Sequence, residues 1–151
     1  MRPTVEEQLL GTCRVLEKVV SPCVADPYAR TMLEGLIANL RMLTSALPAV
    51  PGFFHNDNRA TAALLGQLQA AIAPDLAARI ALALERTEPD VTDMRALEQR
   101  NGELRELFSQ VLCSADLTPA MRGAALEHMS ARAASSPMRY VSTASPSAKA
   151  G

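Results

Sequence analysis

Met94, Leu97, Asn101, Leu104, Phe108 and Val111 stand three, four, three, four and three residues apart. A strand cannot use that spacing, because its side chains alternate with period two. On an α-helix all six share one face. The run therefore predicts a helix from about Val91 to Cys113 with a seam that must be covered. Related stripes recur along the chain. Val5, Leu9, Cys13, Leu16, Val19 and Val20 make one, and Met32, Leu36, Leu40, Leu43 and Leu47 a second. Leu64, Leu68 and Ile72 follow, then Leu76, Ile80 and Leu84, then a weaker set at Met121, Ala125 and Met129. Period-two alternation is hard to find. Tryptophan is absent and aromatic residues are 3%, so strand formers are sparse while good helix formers abound. The expected class is all-α.

The punctuation agrees. Thr4 and Glu7 form a T-x-x-E pair, in which each side chain satisfies the other's free backbone N–H at a helix start. Asp26-Pro27 and Thr118-Pro119 combine a capping oxygen with a proline in the first turn, where its missing N–H costs nothing. Ser21-Pro22 stops the first helix and Pro48 closes the second. Pro74-Asp75 breaks or kinks the chain, which leaves open whether residues 57–87 form one kinked helix or two. The reading is one bundle of five or six amphipathic helices over residues 1–134. A Ser/Ala/Pro segment follows at 135–151, expected to be a disordered tail because it cannot bury enough apolar surface to offset ordering entropy.

Pro51-Gly52-Phe53-Phe54-His55-Asn56-Asp57-Asn58 looks most like chemistry. Pro48, Pro51 and Gly52 argue for a loop there, and Asn56, Asp57 and Asn58 are the residues a helix start uses to accept its orphan N–H bonds. His55 has no second histidine, cysteine or close carboxylate at ligand spacing, so a metal is not expected. The other reading makes His55, Asn56 and Asp57 ligand contacts, with Asn39 at the edge of the second stripe as a further one.

Asn101 puts an amide into the fifth seam. Such an amide wants a partner, and in coiled coils a matching asparagine on a second helix supplies it. Packing within the chain is one reading. A self-association interface through Leu97, Asn101, Leu104 and Phe108 is the other. Cys13 lies mid-stripe and reads as a packed thiol, while His128 and Asn39 read as surface or boundary groups.

Other chemistry is missing. The phosphate cradles GxxxxGK[ST] and GxGxxG are absent, as are GxSxG and HExxH. Acidic pairs fall at helix starts, where the dipole explains them. Net charge is -1, and the arginines, Arg14, Arg30, Arg41, Arg59 and Arg79 among them, are scattered among acids as solvated faces. A nucleic-acid partner is therefore not expected. No stretch approaches the apolar length of a membrane span, and the opening residues, with Glu6 and Glu7, do not read as a secretory signal. A cytoplasmic protein is expected. Three cysteines without a CxxC support neither a disulfide framework nor zinc. No cofactor is called for, and no catalytic residue stands out.

Arg2-Pro3-Thr4, an amphipathic helix ending near Val19 and Pro22, and Ala38-Asn39-Leu40 with Leu43 in a second helix resemble a family of small bacterial helical proteins of unknown function. Members are often encoded beside an aminoglycoside-phosphotransferase-like kinase and an acyl-CoA dehydrogenase. The resemblance covers roughly residues 2–70; the helix after Thr92 and the Ser-rich tail add nothing to it. It implies an accessory role in acyl-CoA or hydroxy-acid catabolism, and it assigns no catalytic residue.

Two functions follow. One is a helical interaction or accessory protein with a protein partner or a second copy of itself. The other is a small helical protein holding an apolar or acyl ligand between its helices, with Met32, Met42, Met94, Met121 and Met129 lining an adaptable pocket. An exposed apolar patch would favour the first, and an enclosed cavity with convergent polar groups the second.

Overall fold

The computed structural model describes residues 3–113 and 117–137, with Ala70 described by its backbone alone. The described residues form six α-helices and no strand: α1 (Val5–Val15), α2 (Pro27–Ala46), α3 (Val50–Leu68), α4 (Pro74–Leu84), α5 (Met94–Leu112) and α6 (Pro119–Ser135). The chain is all-α, as its spacing predicts. Of the expected tail, residues 138–151 lie outside the described residues.

The caps read from sequence form. Thr4 Oγ1 accepts from Glu7 N at 3.2 Å and Glu7 Oε2 accepts from Thr4 N at 2.9 Å. Asp26 Oδ1 accepts from Ala29 N at 2.7 Å and Thr118 Oγ1 from Met121 N at 3.3 Å; Asp93, not singled out as a cap in the sequence, accepts from Ala96 N at 3.0 Å. Each bond satisfies a donor that the first turn cannot. Past Val15 the chain runs through a widened π-type turn, Leu16–Val20, and a 3₁₀ turn holding Pro22. Residues 57–87 hold two helices, parted by a 3₁₀ turn at Gln69–Ala71 and extended backbone at Ile72 (φ -119°, ψ 167°).

The substantial helix contacts fall into two sets. α1 packs on α2; separately, α3 packs on α4, α5 and α6, and α4 on α5. Arg79–Gln110, and Arg86–Glu103 just past the end of α4, make antiparallel rungs to α5. Asp57–Arg132 and Thr61–His128 do the same between α3 and α6. α3 and α5 run parallel, since Asn58 meets Leu97 and Asn101 at one end while Leu68 and Val111 share the core at the other. The result is an up-down-up-down bundle, α3 to α6, around Leu65, Ile80, Leu104, Val111 and Ala125, all fully buried.

Two expectations fail here. Pro48–Asn58 is not a loop, and Asn56, Asp57 and Asn58 cap nothing. Leu47–Ala49 makes one 3₁₀ turn and α3 begins at Val50. Pro51 sits within the first turn, where proline is tolerated, and Gly52 costs the helix only about 1 kcal/mol. Leu47, Ala49 and Val50 all keep right-handed helical dihedrals, so α3 carries on from α2 rather than doubling back on it. The second failure is the stripe on α2. Met32 is 53% exposed, Leu36 56% and Leu47 45%, because only α1 and the turns next to α2 pack on it, and that cover buries Ile37, Thr44 and Ala46 instead.

Candidate functional site

Asp57, Asn58, Thr61, Leu64, Leu65 and Leu68 are the buried face of α3. Their spacing is helical throughout, so the three polar residues continue the core stripe toward the N-terminal end of the helix. A buried polar group needs a partner, and each of the three has one. Asn101 Nδ2 donates to Asp57 Oδ2 at 2.6 Å and to Asn58 Oδ1 at 2.9 Å. Asn58 Nδ2 donates to the Leu97 carbonyl at 3.1 Å. The Asn101 amide thus finds its matching asparagine within its own chain, on α3.

α6 closes the cluster. Arg132 Nε donates to Asp57 Oδ2 at 2.8 Å, and Arg132 Nη2 reaches Asn101 Oδ1 at 3.5 Å, the outer limit for such a bond. The guanidinium carbon stands 5.7 Å from the centre of the Phe53 ring, within cation–π range. One turn back along α6, His128 Nε2 and Thr61 Oγ1 are 3.1 Å apart, and the imidazole meets the Phe108 ring edge to face at 5.4 Å. Asp57 is 3% exposed in its side chain and Arg132 28%, so the ion pair runs from the core to the surface. It opens into a groove of about 530 Å³ between α3 and α6, walled mainly by Phe53 and small residues.

Sequence reasoning missed most of this cluster. In the sequence Asn58 reads as part of a cap and His128 as a surface group, Arg132 falls among the scattered arginines, and Thr61 is not singled out. The helical line from Asp57 to Leu68 was the signal for Asn58 and Thr61. Nothing local announces the α6 partners, which lie 67 and 75 residues away in sequence. Arg100 departs from the solvated-face reading more sharply. It is 5% exposed, and its Nε and Nη1 are buried without a hydrogen-bond partner among the described residues.

The sequence-derived candidates separate. Asn56 and Asp57 both line the groove. His55 is half-buried in α3, outside the groove lining, with its Nδ1 buried and unpartnered among the described residues. Asn39 is exposed on α2. Leu97, Asn101, Leu104 and Phe108 cannot form a self-association seam, because the bundle buries them to between 0% and 8% exposure. Met32 and Met129 are exposed on different helices rather than converging on one pocket.

No protein-family model, curated protein or solved structure matches this chain. Function has to be argued from the surfaces themselves. Among the described residues no group of three or more His, Cys, Asp or Glu side chains is placed to hold a metal, and no helix is long and apolar enough to cross a membrane. The described surface exposes apolar side chains singly on the bundle, Leu82 and Leu126 among them, and in a row on α2, where Tyr28, Met32 and Leu36 are spaced one turn apart beside Val5, Val15 and Val19 of the first helical segment.

Proposed function

We propose that this chain is a helical interaction or accessory protein that docks on a protein partner through the apolar face of its α1–α2 hairpin. The observation that carries this reading is the row Tyr28, Met32 and Leu36, exposed by 75%, 53% and 56%. Single exposed apolar residues are ordinary, but a row at i, i+4 and i+8 is how a helix presents itself to a groove. Val15 and Val19, exposed by 54% and 61%, add apolar surface on the neighbouring segment. The three free cysteines suit a reducing compartment, so the partner is sought in the cytoplasm. The resemblance over residues 2–70 includes the whole hairpin. It makes an aminoglycoside-phosphotransferase-like kinase or an acyl-CoA dehydrogenase the first partner to try.

The test is capture with the full chain and with the double variant Tyr28→Asp, Leu36→Asp. Both positions are exposed, so the variant is expected to melt with the parent, surface changes costing no more than about 0.5 kcal/mol each. The parent should retain a stoichiometric protein and the variant should lose it. A parent that retains nothing, or a variant that retains as much, contradicts the proposal. Light scattering on the same pair distinguishes a second copy as the occupant, since a dimer would then dissociate in the variant.

A further inference from the structure

We infer that the groove between α3 and α6 is a binding site for a monocarboxylate with a short apolar chain, and that Arg132 is the residue that takes the carboxylate. The inference does not depend on the hairpin.

The guanidinium is only partly used. Nε is committed to Asp57, Nη2 reaches Asn101 Oδ1 at the limit of bonding, and Nη1 makes no hydrogen bond among the described residues. A guanidinium carries five donors in a flat fork, so one edge can hold Asp57 while the other holds a second carboxylate. Asp57 then acts as a positioning residue. Its carboxylate, tied down by Asn101 at 2.6 Å, fixes the plane of Arg132, and the Phe53 ring supports the guanidinium from the side. Arg132 lines a groove of about 530 Å³, a volume within the usual range for small-molecule sites, about 300–1,000 Å³.

The walls choose the rest of the ligand. Ala49 just before α3, Gly52 and Ala60 on α3 and Ala131 on α6 are small, and Phe53 is broad and apolar. They leave room for methylene groups and offer them no competing charge. The charge balance selects against a dianion. Among the described residues Arg132 is the only Lys or Arg lining the groove, beside the imidazole of His128, and it already shares its charge with Asp57. A second carboxylate is tolerated on its far edge; a phosphate dianion would meet Asp57 with too little positive charge to offset it.

Hexanoate, 1-hexanol and inorganic phosphate, titrated into the full chain and followed by amide chemical shifts, test the assignment. Hexanoate should move the amides of Gly52, Phe53 and Arg132 and bind at least about tenfold more tightly than hexanol or phosphate. Arg132→Gln should weaken hexanoate about tenfold, a loss of about 1.4 kcal/mol. That variant also strips Asp57 of its ion-pair partner, leaving it Asn101 alone, and loses stability, so Gly52→Leu provides the independent arm. A Cβ at Gly52 meets nothing within 4 Å and Gly52 lines the groove, so leucine there is expected to take up groove volume while both partners of the ion pair stay in place. Gly52→Leu should keep or raise the melting temperature, since it removes a helix glycine, and lose hexanoate by about tenfold or more. Equal binding of hexanoate and hexanol, tighter binding of phosphate, unchanged affinity in Gly52→Leu, or no shift at about 10 mM hexanoate would each overturn the inference.

Discussion

The hairpin and the bundle are written in the same sequence pattern and end in different states. In the bundle, Leu65, Ile80, Leu97, Leu104 and Val111 are almost completely buried, and Asn58 and Thr61 with them. Among the described residues of the hairpin only Cys13 and Thr44 are buried to that degree, while Val5, Val15, Val19, Tyr28, Met32 and Leu36 stay open. An amphipathic stripe states that a face wants cover, and not what covers it. Four helices can surround a common core. Two helices cover each other on one side only, so the remaining apolar side of the hairpin is left for something else.

The sharpest way to break this comparison is to cut one leucine from each region. Leu104→Ala should cost about 2–5 kcal/mol, the range for a leucine removed from a close-packed core. Leu36→Ala should cost no more than about 0.5 kcal/mol, because its side chain is already in water. Equal losses in chemical denaturation would mean that the hairpin is as well packed as the bundle. Asn101→Leu comes next. It removes the donor that Asp57 and Asn58 share, leaving a buried carboxylate with Arg132 alone, and should cost about 2–3 kcal/mol by the same measurement. An unchanged or raised stability would show that the polar cluster contributes nothing to holding α5 on α3.

The third change runs the other way. Arg100→Met keeps the aliphatic stem and removes a buried cation with two unpartnered nitrogens, so stability should rise by about 1–2 kcal/mol. A loss of stability would show that Arg100 has a partner in solution. The smallest effect concerns the link into α5. Asp90 Oδ1 accepts from the Thr92 hydroxyl at 2.6 Å and from Thr92 N at 2.8 Å, and these bonds, the hydroxyl first, hold its carboxyl below its ordinary value. A depressed carboxyl stabilises the fold above its unfolded value and loses that contribution as the pH falls through the folded one. Asp90 is fully exposed, so Asp90→Asn should flatten the acid limb of the stability curve slightly and leave stability near neutrality almost unchanged. A steeper acid limb in the variant would reverse the sign of the assignment.

Elements with local signals were legible in the sequence. Thr4, Asp26 and Thr118 cap where their neighbours say they should, and the Met94–Val111 spacing located α5 to within a turn. The start of α3 was not legible, because Pro51 and Gly52 are breakers in most contexts and are tolerated only inside a first turn. The same error hid the cluster: with Asp57 and Asn58 assigned to a cap, their place on the buried line through Thr61 and Leu65 went unread. Asn101's need for a partner was plain, but the partner's identity is a long-range fact that periodicity does not carry. The open hairpin was the least legible feature, since burial depends on how many helices arrive at a face and not on the face itself.

Hydrogen exchange on the free full chain, resolved by residue, measures the difference between the two regions directly. The amides of α3 and α5 around Leu65, Leu104 and Val111 should exchange only through global unfolding, and those of α1 and α2 earlier, through a separate opening of lower free energy. Protection in α1 and α2 equal to that in α3 and α5 would contradict the account, because a hairpin that opens only with the whole molecule is not one whose apolar side the fold has left uncovered.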